Sequence, residues 1–209
     1  MIFMDQTALL QMLLLTDPLR HRALQVVAEC GLPDCWIGAG FIRDAVWDHL
    51  HGYAKTAPRG DVDVIWFPSV PTHEDVDLRV EQELHDVMPG LQWSVKNQGR
   101  MHLGNGDTPY TSVADAMRHW PETATAVAVR LETSGLIEVT APFGLDDLFA
   151  LRLRPTPAFL TTKLPIFVDR VSSKRWIERF PLINFETSVA PQVVVALGAA
   201  DESPPSITV

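Results

Sequence analysis

The run from Trp36 to Phe67 constrains this chain more than any other: WIGAGFIRDAVWDHLHGY, a polar loop, then DVDVIWF. It reads as a short apolar strand, a Gly38-Ala39-Gly40 turn, an amphipathic helix, and a second strand that opens on Asp61 and Asp63. A glycine turn lets backbone N–H groups and a helix N-terminus approach a phosphate. Carboxylates at i and i+2 leave a strand on the same face, where they can share divalent ions. The combination points to metal-assisted transfer chemistry on a nucleoside triphosphate.

Two other site types share parts of this signal. A dinucleotide-binding fold requires G-x-G-x-x-G and an acidic residue after the second strand. Here the third glycine position is Arg43, and Asp61 precedes its strand. A phosphatase of the haloacid dehalogenase type places its apolar strand before the D-x-D pair. In this chain GYAKTAPRG comes before the pair and VIWF after it. Position within the elements excludes both.

The remaining pattern resembles the polymerase-β nucleotidyltransferase superfamily, in which a glycine turn and helix precede a strand opening with D-x-D. GAGFIRD is similar to the glycine-glycine-x-valine-arginine-aspartate motif of tRNA nucleotidyltransferase heads. WSVKNQGRMH, YTSVADAMRHWPETATAVAVRL and APFGLDDLFALRLRPTP extend the resemblance to a bacterial nucleotidyltransferase-like family, over roughly residues 17 to 181. One departure is Pro68, where an acidic residue is usual. The resemblance implies fold and reaction class and leaves the substrate open.

It also implies a third carboxylate on a neighbouring strand. Glu138, in Leu136-Ile137-Glu138-Val139, has the apolar-acidic-apolar context for that role. Asp146 and Asp147 are similar to the E-D-L stretch of the tRNA enzymes, and also suit a helix N-terminus. The expected catalytic and metal-binding set is therefore Asp61, Asp63 and Glu138, holding two Mg²⁺ ions, or Mn²⁺ in their place. The expected nucleotide contacts are Gly38, Gly40, Arg43, Asp44, Lys96, Asp146 and Asp147. Arg43 can offer a planar fork to a β- or γ-phosphate. Lys96 and Arg100 follow a strand and can line the same cleft. His49 and His51 are two apart on a helix and do not face one another. Trp47, Trp120 and Trp176 read most simply as core aromatics, with stacking of one on a base as the alternative.

Net charge of −9 argues against a long nucleic-acid footprint. The acceptor is thus expected to be a small molecule or a protein. Cys30 and Cys35 make no disulfide framework and fit a reduced, cytoplasmic chain. LLQMLLL, the longest apolar run, is too short to span a membrane.

At 209 residues the chain suits one α/β domain, a mixed sheet flanked by helices of polymerase-β type. The patterns predict helices over 5–15, 18–30, 41–50, 74–87 and 112–119, the last with Ser112 and Asp115 as its capping pair. Strands are expected at 35–38, 61–67 and 91–95, with a hairpin of 125–132 and 136–140. GLDDLFAL opens another helix, and PIFVDRVSSKRWIERF forms the last. The domain is expected to end near 181, with 182–209 a poorly ordered tail in which 193–197 could pair as an edge strand. The alternative to an enzyme is a nucleotide-binding or regulatory module on the same fold.

Overall fold

The computed structural model describes residues 5–70, 72 and 75–187. Strands β1 (Trp36–Gly38), β2 (Asp61–Trp66), β3 (Gln92–Asn97), β4 (Ala128–Leu131) and β5 (Ile137–Thr140) form one sheet in the order β3-β2-β1-β4-β5. β1 runs antiparallel to both β2 and β4, β4 and β5 form a hairpin, and β2 and β3 are parallel. The sheet is mixed and flanked by helices, as the sequence predicts.

One sheet face is apolar apart from Asn97 at the end of β3, because alternation sends Ile37, Val62, Val64, Trp66, Trp93, Val95 and Val129 to the same side. Helices α1 (Gln6–Leu15), α2 (Pro18–Glu29), α3 (Gly40–Leu50) and α4 (Asp75–Val87) supply much of the rest of that core. Asp17 starts α2 as its N-cap, accepting from the Leu19 and Arg20 amides, with Pro18 in the first turn. The buried Arg20 closes the arrangement by donating to Asp17 and to the Phe41 carbonyl of α3.

The opposite sheet face carries Trp36, Ile65 and Ala128, packed with Val113 and Met117 of α6 (Val113–Met117). Ser112 caps α6 by accepting from the Asp115 amide. The reciprocal bond is shifted by one residue, since the Asp115 carboxylate accepts from Thr111.

Three elements differ from expectation. KNQGRMHLGNG contains a helix, α5 (Gln98–Asn105), capped by Asn97 and ended by Gly106 in the left-handed conformation. The helix opened by GLDDLFAL lasts only from Asp146 to Phe149 (α7). The final helix is two, α8 (Leu164–Ser173) and α9 (Trp176–Arg179), separated by Arg175 at φ 52°. Beyond the expected boundary at 181, β7 (Asn184–Phe185) pairs in parallel with β6 (Arg152–Leu153). The run at 193–197 lies outside the described residues. Among those described, no helix is long and apolar enough to cross a membrane.

Candidate active site

β2 is flanked on both sides, so its first residues open at the rim of the sheet. Asp61 and Asp63 leave it on one face; Asp61 is exposed and Asp63 partly buried. In the antiparallel register Asp63 lies opposite Gly38, and in the parallel register opposite Ser94. Asp63 lines a cleft of about 440 Å³ closed by β3 and α5 on one side and by α6, a 3-10 turn (Pro157–Phe159) and α8 on the other. Lys96 and Arg170 line the same cleft.

Electrostatics single out Asp63. Burial, and next the charge of Asp61, push its carboxyl up to about 6, while Arg170, Arg43 and Lys174 pull the other way. Two carboxylates two residues apart on one strand face form a hard-oxygen donor pair suited to Mg²⁺ or Mn²⁺. A cation between them would offset the repulsion from Asp61 that adds to the effect of burial on Asp63.

The glycine turn has a more specific structure than phosphate approach alone requires. A Cβ on Gly38 would lie 2.9 Å from a ring carbon of Trp120, so glycine allows the indole to cover β1. Ala39 sits at φ 57°, ψ −126°, a conformation that favours glycine, and its amide donates to the Val127 carbonyl. It lines the cleft and leaves α3 without a side-chain cap, so the positive end of that helix is open to an anion. Gly40 begins α3, where a Cβ would lie 3.4 Å from the Arg43 guanidinium.

Several expected contacts fall elsewhere. Glu138 does not join the two aspartates. It lies on edge strand β5, separated from β2 by β4 and β1, or three strand spacings of about 14 Å. There it accepts from Arg130 at 2.7 Å and borders a separate hollow of about 560 Å³ with Gln6 and Gln11. That hollow is larger, but among the described residues no Lys or Arg lines it, so the Asp63 cleft is the better candidate. Among the described residues no three of His, Cys, Asp and Glu converge on a metal position.

Arg43 is buried behind the cleft wall. It pairs with Asp44 at 2.7 Å, donates to Thr125 at 3.3 Å and stacks 4.3 Å from the Trp176 ring. Asp44 also binds Arg179, so this pair fastens α3 to α9 and has no free fork for phosphate. Asp147 is buried and accepts from Thr123 and Arg154, while Asp146 is exposed on α7; neither lines the cleft. Arg100 is held by Asp77 at 2.6 Å. Of the expected nucleotide contacts, Lys96 is the cation that reaches the cleft.

Sequence reasoning missed Arg170. It comes from α8, more than a hundred residues after the aspartates, and is held at 2.7 Å by Glu122, whose other carboxylate oxygen is buried without a partner. The Tyr110, His119 and Lys163 group was missed as well. Its signal was a cluster of polar residues around Asp107, which has no recognisable spacing in one dimension.

The family model described as nucleotidyltransferase matches residues 25–185. A protein whose NMR structure reveals a CCA-adding enzyme head domain is 32% identical, covers 86% of this chain and 95% of its own, and superposes with a TM-score of 0.75. A CCA-adding enzyme complexed with CTP is 15% identical, with a TM-score of 0.55 over 85% of this chain and 43% of its own. The Thermotoga maritima CCA-adding enzyme complexed with tRNA gives 16%, 0.53, 85% and 42%. This chain thus spans less than half of the latter two, and at that identity they show the fold alone. No curated protein matches the sequence. The fold is of polymerase-β nucleotidyltransferase type.

Proposed function

Since the chain belongs to the nucleotidyltransferase family, we propose that it transfers a nucleoside monophosphate from an NTP to an acceptor hydroxyl or similar group, releasing pyrophosphate. The observation that carries this reading is Asp63 in a cleft lined also by Lys96 and Arg170, with Asp61 two residues before it on the same strand face. Asp61 and Asp63 would hold Mg²⁺, in a two-ion arrangement completed by triphosphate oxygens. When bound, the ions lower the pKa of the attacking group and neutralise charge in the in-line transition state. Lys96 and Arg170 bind and orient the triphosphate from opposite walls, and the open N-terminus of α3 adds a third anion-binding group. Glu122 keeps the Arg170 guanidinium in place.

Net charge of −9 supports a small molecule or protein as acceptor, and the free Cys30 and Cys35 support a cytoplasmic setting. The T. maritima relative binds tRNA, so tRNA belongs among the acceptors tested.

A second reading has one specific observation in its favour: no third carboxylate joins Asp61 and Asp63 among the described residues. It makes the chain a nucleotide-binding module without turnover. Pyrophosphate release with each of four NTPs, Mg²⁺ or Mn²⁺, and a broad acceptor set separates the two. An enzyme should release pyrophosphate and lose about 10²-fold or more of its rate in Asp63→Ala. It should also show an NTP-dependent rise in melting temperature that EDTA abolishes. Binding without release under every condition would favour the module, and an NTP shift unchanged by EDTA would rule out metal-dependent binding.

A further inference from the structure

The chain has six tryptophans, and five of them are buried. Trp120 is half-buried and lines the cleft, held over β1 by the absence of a side chain at Gly38. Beyond it the cleft changes character. Phe159 and Ile166 provide an apolar stretch with no charge to offer a phosphate. Past that stretch, one carboxylate organises three polar side chains from separate segments. Asp107 accepts from the Tyr110 hydroxyl at 2.6 Å and from Lys163 at 3.0 Å, and lies 3.3 Å from His119 Nδ1. Tyr110, His119 and Lys163 all line the cleft. Burial works against ionisation of Asp107, yet the Tyr110 and Lys163 hydrogen bonds hold its carboxyl below the usual range. The network is fixed before any ligand arrives.

A cleft that holds a carboxylate and cations near Arg170, an aromatic slab, and a preset hydrogen-bonding group at Lys163, the other end of α8, has the polarity of a nucleotide. Its volume of about 440 Å³ lies within the range of small-molecule sites. On the nucleotidyltransferase reading above, we infer that this chain carries its own nucleobase subsite: the base stacks on Trp120, and its polar edge meets Lys163 and His119. Stacking tolerates any base, because each has a π-face; Lys163 and His119 set the ranking among bases. Lys163 has a spare N–H after its bonds to Asp107 and the Asn105 carbonyl. His119 has Nε2 free for a ligand once Nδ1 is engaged by Asp107.

The test compares inorganic tripolyphosphate with each of the four NTPs, all with Mg²⁺, by titration calorimetry on the full chain. The best NTP should bind about tenfold or more tighter than tripolyphosphate, the contribution of one stacked base. Trp120→Leu should erase that advantage and leave tripolyphosphate affinity unchanged. Lys163→Met should flatten the ranking among bases. It also provides the decision if Trp120→Leu fails to fold, which its melting curve without ligand will show. Equal binding of NTP and tripolyphosphate, or an NTP advantage that survives both substitutions, would overturn the base subsite while leaving the triphosphate site standing. Binding of neither ligand would overturn the triphosphate reading, and the base subsite with it.

Discussion

Asp63 is the residue in which position and chemistry are most tightly coupled. Its folded-state carboxyl is raised from 3.8 to about 6, so the folded chain holds that proton more tightly than the unfolded chain does. Stability from this site is complete below about pH 4 and is lost as pH rises through 6. Asp63→Asn removes the penalty of a crowded charge. In metal-free buffer at pH 7.5 it should stabilise by on the order of 2 kcal/mol, shrinking toward zero at pH 4, as read from urea midpoints. A variant no more stable at pH 7.5 than at pH 4 would show that the charge is not crowded. The aspartates themselves were legible because D-x-D at a strand entry is a local pattern. The role of Arg43 was not. Its position in the motif suggested a phosphate fork, but whether a guanidinium reaches outward or folds onto Trp176 depends on a residue far along the chain.

Among the elements, α9 is tied to α3 by one buried carboxylate. It has one turn, no side-chain cap, and a left-handed residue before it. Besides the packing of Trp176 on Trp47, Asp44 of α3 binds Arg179 of α9 and the buried Arg43 together. Removing that carboxylate leaves two guanidinium groups without their counter-charge. Asp44→Asn should therefore cost about 3 kcal/mol by denaturant unfolding and speed proteolytic nicking near Arg175. Loss below ~1 kcal/mol with unchanged nicking would mean that aromatic packing of Trp176 alone seats α9. Periodicity revealed α1 to α4, whose apolar faces repeat clearly. It missed α5, since Gly99 and Gly104 dilute the helical pattern and Asn97 supplies the start through a cap. It also joined α8 to α9, because the apolar spacing continues across Arg175 while the backbone does not.

At the scale of the whole molecule, strand order decides which carboxylates can meet. Glu138 was plausible from its apolar neighbours, and its hairpin was correctly anticipated, but sequence does not reveal that β5 lies at the sheet edge. There it forms a partly exposed ion pair with Arg130 of the neighbouring strand. Glu138→Gln should leave Mg²⁺-dependent NTP stabilisation within about 1 °C of the parent in a thermal-shift assay, while Asp61→Asn removes it. A loss equal to that of Asp61→Asn would mean that the sheet rearranges on binding. The same topology has a consequence in time. All five strands of the sheet are complete by Thr140, whereas α8, which brings Lys163's neighbour Ile166 and Arg170 to the cleft, ends at Ser173. At synthesis rates of about 5–20 residues per second, a ribosome makes the intervening stretch in a few seconds. During that interval the nascent chain can have its scaffold and its acidic pair without the opposing wall, so competence for nucleotide should appear late, as a separate event after the sheet has formed.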